Sequence, residues 1–344
     1  MKKISLRDIA LRAGVSPTTV SFVLNGKARE NRVSREVIRR VEVLVKELGY
    51  EPNPMARGLR TGRTMTIGLM VEDISNHFFA TLAKVIEDEA DKFGYDVIYC
   101  STENKEARAK KLLEMLKHRR VDGYILTPTA HLKDEIRKLV QEEKPLVLMD
   151  RYFPTLPTNY VVIDNFQGSS MAATHLLGHG YQKLAIVTTV SRQTQMQQRL
   201  RGFMHALHSD STIATPCAEL CISFEKAGEN AAEQISRFLK KNKPDAVFFA
   251  TNYLGIYGIE AIKYLGWKIP SQIGMVSFDD HVIFRLYQPA ITCVAQPVRK
   301  IGEYVIKVLM ENINGGMHSD PVQHILSPQL IIRESCGERS HVSE

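Results

Sequence analysis

The strongest constraint on the fold lies in residues 6–25, where two short helical patterns are separated by Gly14. The first pattern repeats apolar residues at the spacing of one buried helix face: Leu6, Ile9, Ala10 and Ala13. The second opens on Ser16, a favoured N-cap residue, and Pro17, which suits the first helical position. This arrangement predicts a helix-turn-helix, although two helices joined by a turn also occur in other small helical bundles.

The second pattern separates an apolar face from a polar one. Its apolar stripe consists of Val20, Val23 and Leu24. The side chains that face away from the stripe are Thr18, Thr19 and Ser21. A third helix is predicted after Ser34, with Gly49 as its stop. Three short helices make one small all-α domain, and its second helix is the one offered to a DNA groove.

The distribution of charge favours the DNA-binding interpretation. Residues 1–64 contain 14 Lys and Arg against 6 Asp and Glu, a net charge of +8. The other 280 residues contain 31 against 32, a net charge of −1. A basic head on a balanced body is expected of a protein that binds double-stranded DNA, because Lys and Arg neutralise phosphates.

Short motifs along the chain resemble the lactose and galactose repressor family of bacterial transcription regulators. They are LRDIA from residue 6, AGVS from 13, TVS from 19, VLN from 23, LGYEPN from 48 and ARGL from 56. The resemblance covers nearly the whole chain. It implies a transcription regulator, most often a repressor, that binds operator DNA as a homodimer and responds to a small effector, a sugar or a sugar derivative.

Residues 51–64 follow the third helix and allow two interpretations. Pro52 and Pro54 interrupt regular structure, and residues 55–60 are too few for a helix that is stable alone, which fits a flexible linker. The resemblance implies instead a hinge helix that folds on operator DNA and pairs with its dimer mate. In that interpretation Leu59 inserts into the minor groove and kinks the central step.

The resemblance also implies DNA contacts. The positions that set sequence preference at the start of the recognition helix are matched by Pro17, Thr18 and Phe22. The loop at residues 26–32 carries Lys27 and two arginines that we expect to reach phosphates, although a solvated charge run is the more common explanation. The expected DNA-binding residues are Ser16, Pro17, Thr18, Thr19, Ser21, Phe22, Asn25, Arg29, Arg32, Asn53, Ala56, Arg57 and Leu59.

From Met65 onward strand patterns alternate with helical ones, which indicates parallel sheets covered on both faces. Strands are predicted at 66–71, 96–100, 123–127, 146–150, 160–164, 184–189, 218–222, 246–250, 274–278 and 291–294. Helices are predicted near 79–93, 105–119, 131–142, 167–179, 199–208, 226–241, 253–265 and 298–313. Ten strands fit one wide sheet or two smaller ones. The resemblance implies two doubly wound parallel-sheet subdomains of the periplasmic-binding-protein type.

The predicted domains are a headpiece at 1–50, a hinge at 51–64 and an effector-binding and dimerisation domain at 65–338. The resemblance places chain crossovers near 162, 291 and 321, so that the first subdomain spans about 65–162 and 292–321 and the second about 163–291 and 322–338. The tail after Ile332 has no leucine heptad, which favours a dimer over a tetramer.

Polar and aromatic residues follow several of the predicted strands. Ligands of open α/β sheets bind beyond the carboxyl ends of strands, and aromatic faces with a few Asp, Asn and Arg groups suit a polyol. Each of these residues alone is more often an ordinary loop or core residue. The expected effector-binding residues are Phe78, Phe79, Asp150, Arg199, Phe224, Asn252, Asp279 and Gln296. Five of them match pocket positions of the family: Phe78, Arg199, Phe224, Asn252 and Asp279.

Two features depart from the family pattern. Tyr253 stands where an acidic residue commonly follows the asparagine, and the glutamine-rich RQTQMQQ segment that begins at Arg192 replaces a differently composed polar loop. These departures leave the identity of the effector open. Whether the effector weakens or strengthens DNA binding is also open.

Catalytic and metal-binding patterns are weak. Ser223 and Lys226 match an acyl-enzyme spacing without its companion motifs, and His205 and His208 lack the partners of a metal motif. No phosphate-binding glycine motif is present, so we expect no cofactor and no enzymatic activity. The five cysteines do not suggest a disulfide framework, and buried or idle thiols are favoured over a metal site at Cys217 and Cys221.

The N-terminus lacks an apolar signal segment, and no apolar run approaches the length of a membrane span, so we expect a cytoplasmic protein without a membrane partner. Two other functions compete with an effector-controlled regulator. One is a sugar-binding or sugar-processing protein with an incidental head, against which the charge of the head argues. The other is a DNA-binding protein without an effector.

Overall fold

The computed structural model describes residues 4–50, 62–208, 216–223, 227–315 and 320–337. The chain divides into two compact units, residues 1–64 and residues 65–344. Within the described ranges, no helix combines the length and the apolar composition needed to cross a bilayer.

The first unit contains three helices: α1 Leu6–Ala13, α2 Pro17–Leu24 and α3 Arg35–Glu47. Each begins at a serine whose side chain accepts a hydrogen bond from the third helical residue, at Ser5, Ser16 and Ser34. Gly14 ends α1 with a φ of 64°, a left-handed conformation that glycine adopts without strain. The three helices enclose a small core of Ile9, Ala10, Ala13, Val20, Val23, Ala28 and Val41. The predicted helix-turn-helix headpiece is confirmed.

The second unit alternates strands and helices. Its strands are β1 Thr66–Val71, β2 Asp96–Ser101, β3 Gly123–Leu126, β4 Leu146–Met149, β5 Tyr160–Ile163, β6 Leu184–Thr189, β7 Cys217–Ile222, β8 Ala246–Phe249, β9 Gly274–Phe278, β10 Thr292–Ala295, β11 Gln323–Leu326 and β12 Gln329–Ile331. Its helices are α4 His77–Asp91, α5 Glu106–His118, α6 Lys133–Gln141, α7 Asn165–Gly178, α8 Thr194–His208, α9 Ala227–Asn242, α10 Asn252–Tyr264, α11 Val282–Leu286 and α12 Val298–Ile313.

The strands form two six-stranded sheets with matching strand orders. The first sheet has the order β11-β5-β4-β3-β1-β2, and the second has the order β12-β10-β9-β8-β6-β7. The described pairings are parallel except that of β10 with β12. The central strands are buried along their whole length, as expected of sheets covered by helices on both faces. The predicted pair of doubly wound α/β subdomains is confirmed; we call them the first half and the second half of the body.

The chain crosses between the halves later than predicted. Strand β10 belongs to the second sheet and strand β11 to the first, so residues 292–295 and 323–326 lie in the half opposite to the one expected. The physical reason is that the chain leaves each sheet at a strand's carboxyl end. The three crossings therefore come after β5, β10 and β11, which end at Ile163, Ala295 and Leu326. The prediction had placed the second and third crossings before β10 and β11.

Close packing of α7 on α8 depends on Gly202. A Cβ atom at this position would lie 2.1 Å from the carbonyl oxygen of Phe166, which is backbone and cannot rotate away. We expect Gly202→Ala to lower the free energy of unfolding by about 1–3 kcal/mol or more, because the two helices must separate. Urea unfolding followed by circular dichroism measures the difference.

Gly178, the last residue of α7, is the matched control for this substitution. A Cβ atom there meets nothing within 4 Å, so we expect Gly178→Ala to leave the stability unchanged or slightly raised. Equal stability of the two variants would contradict the proposed role of the close helix contact.

Candidate functional site

The start of α2 carries the residues expected to read DNA. The Ser16 hydroxyl accepts a hydrogen bond from the Thr19 amide at 3.0 Å and lies 2.9 Å from the Thr19 hydroxyl. Both side chains therefore help to build the N-cap. Pro17 and Thr18 are exposed. Their side chains take no part in the N-cap hydrogen bonds and are accessible to solvent at the first turn of the helix.

Residues later in α2 make contacts within the headpiece. Ser21 and Phe22 are half-buried, and the Phe22 carbonyl accepts a hydrogen bond from the Lys27 amide at 2.9 Å. The Asn25 amide group donates to the Ser21 carbonyl at 2.5 Å and lies 3.2 Å from the Ser21 hydroxyl. These contacts fix the end of α2 and the start of the following loop.

The loop after α2 is a folded turn. Ala28 is buried, and the Val33 amide donates to its carbonyl at 2.9 Å. The Asn31 side chain donates to the Lys27 carbonyl at 2.8 Å. Lys27, Arg29 and Arg32 are all exposed, so this turn presents three cations. Of the expected DNA-binding residues, Asn53, Ala56, Arg57 and Leu59 lie outside the described residues, as does the expected effector residue Phe224.

A cavity of about 410 Å³ lies between the two halves of the body, at the carboxyl ends of their strands. The lining includes these expected effector residues: Phe78, Phe79, Asp150, Arg199, Asn252 and Asp279. Asp150 follows β4 and Asp279 follows β9, at matching positions of the two sheets, and both adopt a φ of 66°. Aspartate tolerates this left-handed conformation better than most residues. Because the two halves have the same strand order, each contributes one carboxylate to the cavity lining at the same position of its sheet.

Arg199 and Asp279 form a buried pair in the second half. The Arg199 guanidinium donates to the Asn165 side chain and the Ala250 carbonyl at 2.8 Å, and it lies 3.4 Å from Asp279. It also stacks on the Phe278 ring, 3.6 Å from the ring centroid. Burial raises the pKa of Asp279, and the charge of Arg199 opposes that rise.

Gln296 acts on the cavity through Asp279. Its side-chain amide donates to the second carboxylate oxygen of Asp279 at 2.6 Å. Gln296 is not among the residues that line the cavity. The structure therefore places it behind a lining residue, where it orients the carboxylate.

The first half contributes a second charged cluster, of which only Asp150 was among the expected effector-binding residues. Arg151 is buried and donates to Glu72, to Asp150 at 3.1 Å and to the Asn104 side chain at 3.0 Å. Asn104 in turn donates to Glu72 at 2.7 Å. The sequence signal for Glu72 was its place directly after a buried strand, where a carboxylate has to find a partner.

Hydrogen bonds join the two halves across the mouth of the cavity. On one side, the amides of Asn76 and Asn252 pair with each other at 3.0 and 3.4 Å. On the other, the Gln193 amide donates to Asn104 at 3.0 Å. These contacts between opposite halves hold the described arrangement of the body.

Two histidine rings meet beside the asparagine pair. The rings of His77 and His281, which belong to opposite halves, lie edge to face with their centroids 4.9 Å apart. The His281 side chain also accepts a hydrogen bond from the Ile283 amide at the start of α11. Burial lowers the pKa of His281, and the neighbouring His77 lowers it further. The contact therefore favours the neutral form of the His281 ring.

Of the weak catalytic and metal-binding patterns, the Ser223–Lys226 spacing includes Lys226, which lies outside the described residues. The adjacent carboxylates at the end of β9 have different partners: Asp279 pairs with Arg199, and Asp280 pairs with Arg333 at 2.8 Å. His205 lies against the Phe166 ring. Within the described residues, no set of three or more His, Cys, Asp or Glu side chains is placed to hold a metal ion.

Comparisons with known proteins agree with both units. Residues 5–53 match the model for bacterial regulatory proteins of the lacI family, and residues 173–336 match a periplasmic binding protein-like domain. The HTH-type transcriptional regulator DegA of Bacillus subtilis is 31% identical over 97% of this chain and 98% of its own length. The HTH-type transcriptional repressor PurR of Mannheimia succiniciproducens is 31% identical over 96% and 98%.

Solved structures show the same architecture. The Lac repressor dimer bound to operator and the anti-inducer ONPF superposes with a TM-score of 0.85 at 23% identity, over 98% of this chain and all of that one. A LacI family transcriptional regulator from Enterococcus faecium with bound ribose superposes with a TM-score of 0.71 at 26% identity, over 80% of this chain and all of that one.

Proposed function

The chain belongs to the lacI family of bacterial regulatory proteins and is a DNA-binding transcriptional regulator, and from that premise we propose that it is a cytoplasmic repressor controlled by a polyhydroxylated effector. The observation that carries the proposal is the cavity between the halves, which is lined by two buried Arg–Asp pairs, Arg151–Asp150 and Arg199–Asp279, one in each half. Such groups bind the vicinal hydroxyls of a polyol, and aromatic rings cover its C–H faces. The regulatory role leaves no catalytic step to assign.

In the proposed DNA complex, α2 enters the major groove with its first turn towards the base edges. Pro17 and Thr18 are the exposed residues of that turn, and the apolar Pro17 ring and the Thr18 methyl group suit contacts with the methyl group of thymine. Ser16, Thr19, Ser21, Phe22 and Asn25 act at the same surface, partly by fixing the helix. Residues 53–59 supply the hinge contacts through Asn53, Ala56, Arg57 and Leu59.

The turn after α2 should provide phosphate contacts. Replacing Lys27, Arg29 and Arg32 with glutamine removes three exposed cations from a surface beside the recognition helix. We expect the plot of log operator affinity against log salt concentration to flatten by about three units, because fewer counterions are released from DNA. Fluorescence anisotropy with a labelled operator, measured over a series of salt concentrations, gives the slope.

The matched control removes three exposed cations from α9, far along the chain from the headpiece: Arg237, Lys240 and Lys241. We expect the salt dependence of this variant to equal that of the parent. An unchanged slope in the loop variant would leave the loop as ordinary protein surface.

We further propose that the working species is a homodimer, because a helix-turn-helix regulator reads two half-sites with two copies of the same helix. Apolar side chains of α11 support a protein contact at the second half: Val282, Ile283 and Leu286 are 38%, 40% and 76% exposed. Dimerisation would also bring two hinge segments together on DNA.

Control of operator affinity is proposed to run through the arrangement of the two halves. A ligand in the cavity touches both halves, so it favours the arrangement in which both sets of contacts are made. The bridging pairs Asn76–Asn252 and Asn104–Gln193 are the contacts that such a change would make or break.

The direct test is calorimetric titration of the full chain with a panel of sugars and nucleosides, followed by operator titration with each compound that binds. Binding of a sugar that changes operator affinity supports the proposal. If no compound binds while the operator still does, the protein is a DNA-binding regulator without a sugar effector. If a compound binds and operator affinity stays constant, the cavity has another role.

A further inference from the structure

The cavity between the halves holds more buried carboxylates than guanidinium groups. Its carboxylates are Glu72, Asp150 and Asp279, with side chains 11%, 7% and 10% exposed. Its guanidinium groups are those of Arg151 and Arg199, each 3% exposed. When all five side chains are ionised, the buried lining therefore has a net charge of −1. Such a charge, removed from water, is stabilised by a positive partner.

Both guanidinium groups use three of their five N–H donors on protein acceptors. Arg151 donates to Glu72, Asp150 and Asn104. Arg199 donates to Asn165, to the Ala250 carbonyl and to Asp279. Each cation thus makes three hydrogen bonds within the protein. An anionic ligand at either guanidinium group would lie beside carboxylates that repel it.

The described part of the cavity lining also contains two unpaired oxygen atoms. The hydroxyl oxygen of Thr129 and the amide oxygen of Gln195 are buried, and neither has a hydrogen-bond partner among the described residues. Both residues line the cavity and are only 2% and 5% exposed. A ligand rich in N–H and O–H donors would satisfy these oxygens, because buried polar groups are normally paired.

On the premise that this cavity is the effector site proposed above, we propose that the effector is a polyol or sugar carrying one amino group. An ammonium group brings one positive charge and three donors and accepts no hydrogen bond. It matches both the excess negative charge and the unpaired oxygens. A neutral sugar matches only the oxygens, and a phosphorylated sugar matches the oxygens but adds to the excess negative charge.

The pKa of Asp279 depends on burial and on the charged groups around it. Burial raises the pKa of Asp279, Arg199 and Gln296 lower it, and the charge of Asp150 raises it. A cation bound near these carboxylates would stabilise their charged forms and lower the pKa of Asp279.

The test uses the full-length protein at neutral pH and calorimetry with matched sets of sugars: glucosamine, glucose and glucose 6-phosphate, and the corresponding galactose and mannose sets. We expect the amino sugar of at least one set to bind about tenfold more tightly than its neutral partner, the range of a charge-assisted hydrogen bond, and the phosphate to bind most weakly. A neutral or phosphorylated sugar that binds as tightly as its amino partner overturns the inference but leaves the sugar effector in place. If no member of any set binds, the inference and the proposed sugar effector both fail.

Glu72→Gln tests the role of charge with little change in shape. We expect this variant to lose about tenfold in affinity for the amino sugar while its neutral partner changes much less, because one buried negative charge is gone. Glu114→Gln, which removes an exposed carboxylate paired with Lys117 on α5, is the matched control and should bind like the parent. Equal losses for the amino and the neutral sugar, or no loss for the amino sugar, contradict the inference. Operator binding by both variants verifies that they fold.

Discussion

Asp279→Asn is expected to abolish the response of operator binding to the effector while ligand-free operator affinity stays within about twofold of the parent. The substitution removes the carboxylate that faces Arg199 and the cavity, and asparagine tolerates the left-handed backbone at this position. Loss of a hydrogen bond between a charged group and a buried ligand costs about 1.5–3 kcal/mol, so effector affinity should fall by about 10-fold to 150-fold.

Calorimetry gives the effector affinity, and anisotropy with a labelled operator gives the response. Asp134→Asn is a suitable control, because Asp134 is an exposed residue of α6 paired with Arg137 and does not line the cavity. A variant at Asp279 that responds to the effector like the parent would show that the effector binds elsewhere.

Leu59→Ala is expected to weaken specific operator binding by at least tenfold and to reduce the bend of the operator, while weak binding to unrelated DNA persists. The reason lies in the sequence, since residue 59 is outside the described part of the structure. Inserting an apolar side chain between base pairs costs a few kcal/mol of unstacking, which is recovered only when the DNA bends and further contacts form. Alanine is too short to insert. Operator titration and gel-mobility phasing measure the two effects.

Leu59→Met is the matched comparison, because methionine keeps a long apolar side chain. It should retain most of the affinity and the bend. If the alanine variant binds and bends its operator like the parent, the hinge is a passive linker and the effector controls DNA binding by another route.

Local features of the fold were predictable from sequence, and features set by distant contacts were less so. The N-caps at Ser16 and Ser34 depend on a few adjacent residues, and both are present in the structure. Strands β11 and β12 were not predicted, because they are three or four residues long and lie at the edge of a sheet, where none of their side chains is fully buried. The short helix α11 was missed for the same reason of length.

The residues of the cavity also differ in how well the sequence predicted them. Strand ends identified six lining residues, because all parallel strands of a sheet end at one edge. The cluster of Glu72, Asn104 and Arg151 was missed, since it joins residues 32 to 79 positions apart and depends on the strand order of the folded sheet. The orienting role of Gln296 likewise required the position of Asp279.

The most direct test of effector control is the affinity of the effector for the free protein and for the protein–operator complex, both measured by calorimetry. Linkage requires the ratio of these two affinities to equal the ratio of operator affinities with and without effector. We predict equal ratios that differ from one by about 5-fold to 150-fold, the usual range of coupling between two sites. Identical effector affinities for the free and the operator-bound protein would contradict the account, because the cavity would then have no influence on the headpiece.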